Sequence, residues 1–352
     1  MAIVVVGAGA IGLLVAGQLT HASTNVALLA RPAVAAAIAQ HRLRILQNGV
    51  LRTVDGLTVA TDLAALDQWS AQPELAILCV KGYDTASALP TLEALQPQMV
   101  LTLQNGIGNE EILAERFGAR RVISGAITSS VEIEAPGRIA VTKTGGIGLA
   151  PMDKRVDIRR WVAAFSAAGF HTRLYGDYRA LKWSKALLNM LGNATAAILD
   201  LSVAAVYADR RLVALERQAF REALHVMDRL GIRPVNLPRY PAALLALAMR
   251  LGPAALLDPL LARLIAGGRG GKIPSLHLDL ARGNRRSEGD LLYGAVVRAA
   301  EQVGLPAPTN RVLHDTLHDL AAGRLSWDDY RHNPERLLAE VTERQAGRQP
   351  VA

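Results

Sequence analysis

Cysteine is nearly absent from this chain of 352 residues. The single one, Cys79, lies in the apolar run LAILCV. One cysteine excludes a disulfide framework within the chain and cannot supply the thiolates of a zinc cluster. This cysteine usage is typical of proteins in a reducing compartment, and we expect a cytoplasmic protein.

Aromatic residues are also scarce, at 4% of the chain, and no zinc-finger or RNA-recognition pattern is present. Few aromatic side chains are therefore available to stack on nucleic-acid bases. The net charge of +8 could by itself attract a nucleic acid. Residues 1–150 carry 10 Lys or Arg against 11 Asp or Glu, which leaves 29 against 20 for the rest. A cationic second part equally suits a small anionic substrate or cofactor, so we expect such a molecule and no nucleic-acid partner.

Long uninterrupted apolar runs are lacking too. The apolar N-terminus has no basic residues before it and is broken by glycines, which argues against a signal peptide. The apolar stretch 242–265 is interrupted by charged residues and prolines: Arg250, Pro253, Asp258, Pro259 and Arg263. This pattern predicts an amphipathic helix pair at a surface or an interface rather than a membrane span. We expect no membrane partner, and these helices are the candidate interface of a homodimer.

Short apolar runs alternate with helical stretches in the first half of the chain, which predicts the parallel strands of an α/β sheet. The runs are AIVVVG, NVALLA, ELAILCV, MVLTLQ, RVISGAI and GGIGLA, and HTRLYGDY is predicted to be the last strand. After Tyr178 the pattern is helical. Since a single core stops growing at about 300 residues, we predict a Rossmann-type, doubly wound α/β domain over residues 1–176 and an all-α domain over residues 177–352.

The first predicted strand runs directly into a glycine-rich loop. The loop consists of Gly7, Ala8, Gly9, Ala10, Ile11 and Gly12, and the helical stretch LLVAGQLT follows it. In this context the first glycine makes the turn, the second lets a pyrophosphate approach the backbone, and the third lets the helix pack on the strand. The loop is therefore predicted to bind a dinucleotide.

Three polar residues follow later strands at the edge where doubly wound folds bind ligands. Arg31 stands at the end of the second strand, where NAD-binding proteins usually place Asp or Glu, and a guanidinium there favours the 2′-phosphate of NADP. Lys81 and Asn105 end the third and fourth strands. Plainer explanations stay open: a solvated loop cation for Arg31 and Lys81, and a simple turn for Asn105.

A predicted helix after Tyr178 carries a polar stripe in an otherwise apolar segment. The stripe consists of Lys182, Lys185, Asn189 and Asn193, which share one face at helical spacing. Buried amine and amide groups are costly unless partners or a ligand satisfy them, but a solvated face would have the same pattern. The spacing does not decide which lysine is catalytic.

Other candidate residues carry weaker signals. Glu288 by itself fits a first-turn glutamate at the start of a helix, and Ser275 is unremarkable alone. The eight histidines show no metal-ligand spacing such as HExxH, and no GxSxG nucleophile motif is present. We therefore predict no metal site and no hydrolase chemistry.

Together these motifs resemble the ketopantoate reductase family, the 2-dehydropantoate 2-reductases that use NADPH. The resemblance runs from VVVGAGAIG through CVKGYD, LQNGIG and WSKALLNMLGN to PSLHLDL and SEGDLLYG. It implies a Rossmann-type N-terminal domain and a C-terminal domain like that of 6-phosphogluconate dehydrogenase. The implied activity is the NADPH-dependent reduction of 2-dehydropantoate to (R)-pantoate in pantothenate biosynthesis.

The resemblance also implies which residues carry the chemistry. Lys185 becomes the catalytic lysine because it lies two residues after Trp183, as in the W-x-K-x-x-x-N-x-x-x-N helix of the family. Glu288 would help to orient the substrate and this lysine. Ser275 would help to bind the substrate carboxylate, and Arg31 would lie on the 2′-phosphate of the cofactor.

The remaining implied contacts fall into two groups. The cofactor side would comprise the glycine-rich loop with Arg31, Lys81 and Asn105. The substrate side would comprise Asn105, Lys185, Asn189, Asn193, Ser275 and Glu288. Asn105 belongs to both groups because it would contact the nicotinamide side of the site and the substrate.

This chain departs from the family pattern on the substrate side. Ala194 stands where the family usually has Pro, Leu278 where it has Gln, Gly289 where it has an apolar residue, and Tyr293 where it has Asn. One extra residue lies between Asp279 and Glu288. The departures leave open a paralogous NADPH-dependent reductase of another 2-oxo acid or ketone. A non-catalytic NADP-binding sensor is a second alternative, against which the intact Lys185, Asn189 and Glu288 argue.

Overall fold

The computed structural model describes residues 1–22, 25–66, 69, 72–269 and 274–347. The strands are β1 (Ala2–Val6), β2 (Asn25–Leu29), β3 (Leu43–Gln47), β4 (Val50–Val54), β5 (Thr58–Ala60), β6 (Leu75–Leu78), β7 (Met99–Thr102), β8 (Val122–Ile127), β9 (Ser130–Ala135), β10 (Arg138–Lys143), β11 (Ile147–Pro151) and β12 (Thr172–Leu174).

The α-helices are α1 (Ala10–His21), α2 (Pro32–His41), α3 (Thr85–Leu95), α4 (Asn109–Phe117), α5 (Arg159–Ala167), α6 (Tyr178–Met190), α7 (Asn193–Leu199), α8 (Val203–Ala208), α9 (Arg210–Arg229), α10 (Ala242–Leu251), α11 (Ala254–Arg269), α12 (Ser275–Ala281), α13 (Tyr293–Gln302), α14 (Pro308–Ala322) and α15 (Pro334–Gln345). Short 3-10 helices cover Ala64–Leu66, Gly82–Asp84, Ala119–Arg121, Glu288–Leu291 and Trp327–Asp329.

The main sheet has eight strands in the order β12-β11-β8-β7-β6-β1-β2-β5. All seven predicted runs form strands of this sheet. The prediction that they are parallel holds except at one pair, because β11 runs antiparallel to β8. An apolar run with both faces buried carries no signal of its direction, and here a β-hairpin rather than a crossover helix connects the two strands.

A second sheet, in the order β4-β3-β10-β9, was not predicted. Its strands alternate apolar and polar residues and are partly exposed, so no continuous apolar run marks them. The turn between β3 and β4 did have a sequence signal, the dipeptide Asn48-Gly49. In the structure these two residues have φ values of +52° and +77°. Asn-Gly with two positive φ values is the preferred type I′ hairpin turn.

The core explains why the first strands are apolar throughout. Val5 belongs to one buried cluster together with side chains of α1 and α5, whereas Val4 belongs to another together with side chains of α3 and α4. Successive residues of a strand point to opposite faces, so helices that cover both faces require continuous apolar strands. The predicted doubly wound sheet is confirmed.

The chain divides into two compact units. The N-terminal unit comprises Met1–Lys182 with Asn236–Tyr240, and the C-terminal unit comprises Trp183–Val235 with Pro241–Ala352. The division falls within α6, and the domain boundary between residues 176 and 177 stays a prediction. Within the described residues of the C-terminal unit the secondary structure is helical, which confirms the predicted all-α class.

Two stretches predicted as single helices are broken. The polar stripe is interrupted because α6 ends at Met190 and α7 begins at Asn193, with Gly192 at φ +68° between them. A left-handed residue ends a helix, so Asn193 does not continue the stripe. The stretch SEGDLLYG begins as the 3-10 helix Glu288–Leu291 and only then continues as α13.

The predicted helix pair after residue 242 is confirmed as α10 and α11. Among the described side chains of the C-terminal unit, the most exposed large apolar ones are leucines of this pair. In the part of the chain that the structure describes, no helix is both long enough and apolar enough to cross a membrane.

Candidate active site

The glycine-rich loop joins β1 to α1, and two of its glycines are required by the packing of the chain itself. Gly7 has φ +105°, and a Cβ there would lie 2.9 Å from Val80. A Cβ on Gly12 would lie 1.9 Å from the carbonyl oxygen of Gly7. A side chain at either position would therefore force the loop, the helix and the end of β6 apart.

Gly9 is different, because the chain places nothing against it. A Cβ there would meet only the carbonyl oxygen of Cys79, at an ordinary contact distance of 3.9 Å. Gly9 is exposed, caps the N-terminus of α1, and is followed by a first turn without acidic residues. Exposed backbone N–H groups at a helix N-terminus form an anion-binding site, so the space beside Gly9 fits the pyrophosphate of a dinucleotide.

Arg31 lies two residues beyond the end of β2, next to the same loop. The Gly7 N–H donates a hydrogen bond to the carbonyl oxygen of Leu29 at 3.2 Å, which ties the loop to the end of β2. The backbone carbonyl of Arg31 begins α2, while its side chain is exposed. No ion pair of the Arg31 guanidinium is found among the described residues, so it can take an anionic ligand.

Lys81 and Asn105 follow the neighbouring strands β6 and β7, and both are half-buried. The buried side chain of Gln104 links their loops. Its amide donates hydrogen bonds to the carbonyl oxygens of Val80 at 3.1 Å and Lys81 at 3.2 Å, and to the Thr85 hydroxyl at 2.9 Å. The structure thus brings both residues to the carboxyl edge of the sheet, as predicted. The role of Gln104 was missed, since no local pattern distinguishes it from a strand-end residue.

Lys182, the first lysine of the stripe, forms its contacts with residues of the N-terminal unit. Its ammonium lies 3.1 Å from the Glu110 carboxylate and donates a hydrogen bond to the Gln104 carbonyl oxygen at 2.6 Å. The side chains of Lys182 and Glu110 are only 3% and 1% exposed. The Ser124 hydroxyl donates a further hydrogen bond to Glu110 at 2.8 Å. Lys182 is therefore a buried structural cation.

Burial alters the pKa values of Cys79, Glu111 and Tyr178 in this unit. Burial raises the pKa of the Cys79 thiol to about 12, so this thiol stays protonated at neutral pH and is a poor nucleophile. Burial also raises the pKa of Glu111, and the charge of the adjacent Glu110 adds to the effect. The Tyr178 hydroxyl donates a hydrogen bond to Glu111 at 3.0 Å, and burial raises the pKa of Tyr178 as well.

Lys185 and Asn189 lie four residues apart on one face of α6, in the C-terminal unit. Both are half-buried, while Trp183, Ala186 and Leu187 around them are at most 4% exposed. The predicted combination of amine and amide groups on a mostly buried helix is thus present for these two residues.

Asn193 is the exception, because it is the first residue of α7. Its side chain is 7% exposed, and its Oδ1 accepts a hydrogen bond from the Leu276 N–H at 3.4 Å. Leu276 is the second residue of α12, which begins at Ser275. The structure therefore brings Asn193 next to Ser275 by a long-range contact rather than by helical spacing.

Glu288 lies in its 3-10 helix and is 6% exposed. The Ser287 hydroxyl accepts a hydrogen bond from the Gly289 N–H at 3.1 Å. The Asp290 carboxylate contacts the His314 Nε2 at 2.6 Å. Glu288 thus begins a short separate turn and not the long helix that was predicted.

His314 bonds carboxylates through both ring nitrogens, since its Nδ1 lies 2.8 Å from Asp315. Although burial opposes the charged form, the hydrogen bonds to Asp290 and Asp315 raise the pKa of His314 to about 9. The ring of His318 stacks on that of His314. A carboxylate oxygen of Asp290 and one ring nitrogen each of His314 and His318, which are atoms of the kind that bind metal ions, lie within 4.8 Å of one another. This imidazolium cluster was missed because Asp290 lies 24 residues before His314 and because the spacing of His314 and His318 by four residues, one helical turn, was not recognised.

Two of the substrate-side departures are joined by a hydrogen bond. The Ala194 N–H donates to the Tyr293 hydroxyl at 3.1 Å, and a proline at position 194 would have no N–H to donate. Gly289 is also constrained, because a Cβ there would lie 2.6 Å from Leu317. Leu278 is 37% exposed. The departures at 194 and 293 are therefore a coupled pair.

The sequence matches the family model described as ketopantoate reductase PanE/ApbA over residues 3–154, and the model of its C-terminal part over residues 177–321. The 2-dehydropantoate 2-reductase of Halobacterium salinarum is 31% identical and covers 90% of this chain and 97% of its own. The enzyme of the same name from Pyrococcus horikoshii is 29% identical, with coverages of 89% and 95%.

Solved structures agree with these matches. The crystal structure of a PanE/ApbA family ketopantoate reductase from Ralstonia eutropha has a TM-score of 0.76 at 27% identity and covers 92% of this chain and 99% of its own. D-mandelate dehydrogenase, in a ternary structure with NADH and anilino(oxo)acetate, has a TM-score of 0.76 with the same coverages; at 20% identity it is similar in fold. The matched regions include the glycine-rich loop and Lys185 of α6. The chain therefore belongs to the ketopantoate reductase family of oxidoreductases.

Proposed function

We propose that this protein uses NADPH to reduce a 2-oxo acid, with 2-dehydropantoate as the first candidate substrate and (R)-pantoate as its product in pantothenate biosynthesis. The observation that carries the proposal is the contrast between Gly9 and its two neighbours in the loop. At Gly7 and Gly12 a Cβ atom would clash with other atoms of the chain, whereas a Cβ atom at Gly9 would point into open space at the N-terminus of α1. A ligand that approaches the backbone there explains the glycine.

Arg31 is proposed to select NADPH over NADH. Its exposed guanidinium can form two parallel hydrogen bonds with a 2′-phosphate, and a carboxylate in its place would repel that group. The similar fold of D-mandelate dehydrogenase carries NADH in its solved structures, so the fold alone does not decide the cofactor. Arg31→Asp should weaken NADPH binding far more than NADH binding, measured by fluorescence titration. Equal effects on both cofactors would leave Arg31 as a solvated loop residue.

In the proposed mechanism the bound dinucleotide supplies the hydride that reduces the ketone carbon. Lys185 donates a proton to the carbonyl oxygen, and its positive charge stabilises the negative charge that develops there. Glu288 orients the substrate and this lysine. The other substrate contacts are assigned to Asn105, Asn189, Asn193 and Ser275, while Lys81 lies near the cofactor.

The test of this mechanism is Lys185→Ala, assayed by the loss of NADPH absorbance with 2-dehydropantoate. We expect turnover to fall by about 10² or more, since a positioned proton donor contributes about 10²–10⁴, while the Kd for NADPH stays unchanged. Arg179→Ala is the matched control, because Arg179 is an exposed cation on the same helix. Turnover of Lys185→Ala close to wild type would remove Lys185 from the mechanism.

A second candidate function is the reduction of a different 2-oxo acid. The coupled departures at Ala194 and Tyr293 favour it, because they place a bulky buried phenol on residues that directly adjoin Asn189 and Asn193. A panel that includes 2-dehydropantoate and the 2-oxo counterpart of mandelate separates the two candidates by kcat/KM. NADPH binding without turnover of any panel member would support the sensor alternative instead.

We also propose that two copies of the chain associate through α10 and α11, in the reducing cytoplasm that suits its single protonated thiol. Exposed leucines on these helices are 50–75% accessible: Leu244, Leu247, Leu251, Leu256 and Leu260. Apolar patches of this kind mark interaction surfaces. Leu251→Glu with Leu256→Glu should convert a dimer to a monomer in light scattering, whereas Ile133→Glu, an exposed apolar residue of β9, should not. A monomeric wild type would rule the dimer out.

A further inference from the structure

The break between α6 and α7 separates two residues of the proposed substrate side. Asn189 directly precedes Met190, the last residue of α6, and Asn193 is the first residue of α7. Gly192 between them adopts φ +68°, which helices do not propagate. Helical geometry therefore does not fix one asparagine relative to the other, and contacts from other elements must do so.

Glu216 of α9 provides the first of these contacts. Its side chain is 3% exposed, and its carboxylate accepts hydrogen bonds from the Gly192 N–H at 2.7 Å and the Thr195 hydroxyl at 2.5 Å. A carboxylate at the N-terminus of a helix satisfies N–H groups that have no partner within the helix. Glu216 thus fixes the start of α7 from a distant helix.

Tyr293 of α13 provides the second contact and spans the break. Its hydroxyl donates a hydrogen bond to the Met190 carbonyl oxygen at 2.6 Å and accepts one from the Ala194 N–H at 3.1 Å. One hydroxyl therefore bonds the last residue of α6 and the second residue of α7. The side chain is 1% exposed, so water cannot readily replace it.

From these contacts we propose that Tyr293, assisted by Glu216, is a positioning residue for substrate binding. It acts through Asn189 and Asn193, each adjacent in sequence to a residue that the phenol bonds. Asn193 in turn bonds the start of α12 beside Ser275, so the same hydroxyl also supports a third substrate contact. The inference rests on the proposed function, which assigns these residues to the substrate.

Ala194 offers a chemically clean way to test the hydrogen bond. It is the second residue of α7, where the backbone N–H has no partner within the helix and proline is tolerated. Ala194→Pro therefore removes the donor, and Tyr293→Phe removes the acceptor while keeping the ring. Tyr293→Phe also removes the hydrogen bond to the Met190 carbonyl oxygen, so if the two groups act as one unit the double variant should cost no more than Tyr293→Phe alone.

The experiment measures KM and kcat for 2-dehydropantoate, the first candidate substrate, and the Kd for NADPH. For Tyr293→Phe and Ala194→Pro we expect KM to rise by about five- to tenfold, the effect of about one buried hydrogen bond, with kcat changed less and the Kd for NADPH unchanged. Glu216→Gln should shift KM in the same direction. Tyr330→Phe is the matched control, since Tyr330 is also 1% exposed and its hydroxyl bonds Glu340; it should leave KM unchanged.

The possible results separate this inference from the proposed function. A wild type that reduces no 2-oxo acid would overturn the proposed function. Normal wild-type turnover with unchanged KM in both variants, or KM effects that multiply in the double variant, would overturn only the positioning role. If Tyr293→Phe does not fold, the KM of Ala194→Pro decides the question.

Discussion

The proposed cofactor side and the proposed substrate side of this protein are built in different ways. On the cofactor side, the glycine-rich loop, Arg31, Lys81 and Asn105 follow the ends of strands that lie next to one another in the sheet. On the substrate side, Asn193, Ser275 and Glu288 are the first residues of three separate short helices. The first side is held by sheet geometry, and the second by individual hydrogen bonds.

This difference decides how far each side can vary. In a parallel sheet, backbone pairing fixes where every strand ends, so a residue at a strand end is placed by its position in sequence. The substrate side has no such frame, and its residues depend on partners such as Tyr293 and Glu216. The departures from the family pattern lie on that side, where a compensating contact elsewhere can absorb them.

The largest effect is expected at the buried ion pair between Lys182 and Glu110, in the N-terminal unit that carries the proposed cofactor side. Replacing Glu110 with Leu leaves the Lys182 ammonium buried without its carboxylate, and we expect a loss of about 3–5 kcal/mol in the free energy of unfolding. Urea denaturation measures it. The double variant with Lys182→Met should recover most of the loss, because it leaves no unpaired charge. A single variant as stable as wild type would contradict a structural role for the pair.

The C-terminal unit should show a pH dependence of stability through His314, which bonds Asp290 in the same 3-10 helix as Glu288. Its raised folded pKa, about 9 against an ordinary value of 6.5, means that its stabilising effect is complete below pH 6.5 and is lost as pH rises through 9. We expect the free energy of unfolding to fall across this window as His314 loses its proton. The loss should be only about 1–2 kcal/mol, because solvent screens the interaction with the half-exposed carboxylates. His314→Gln should flatten the profile in urea denaturation. The same pH dependence in this variant would assign it to other groups.

The same difference explains what could be predicted from the sequence. The strands around β1 are continuous apolar runs, and Gly7, Gly9 and Gly12 stand at fixed spacing, so the fold class and the predicted cofactor edge follow from local patterns. Asn193 was placed on the wrong helix, because the single glycine that breaks α6 from α7 is not distinguishable by spacing from a glycine within a helix.

Other features depend on contacts between residues that are distant in sequence. The choice between Lys182 and Lys185 could not be made by periodicity, since it rests on Glu110, 72 residues before Lys182. The half-exposed sheet with β3 and β4 did have local signals, the alternation of apolar and polar residues in its strands and the Asn48-Gly49 turn, but these short segments were not recognised as strands. Long-range partners of this kind leave no periodic trace in the sequence.

The most direct test of the account is the NADPH affinity of Gly9→Ala. A methyl group at Gly9 meets nothing of the protein closer than 3.9 Å, so the melting temperature should stay at the wild-type value. It would enter the space assigned to the pyrophosphate, and we expect the Kd to rise by about tenfold or more. Gly176→Ala, at a glycine whose added Cβ would meet nothing within 4 Å, should leave the Kd unchanged. An unchanged Kd in Gly9→Ala would contradict the placement of the cofactor at this loop.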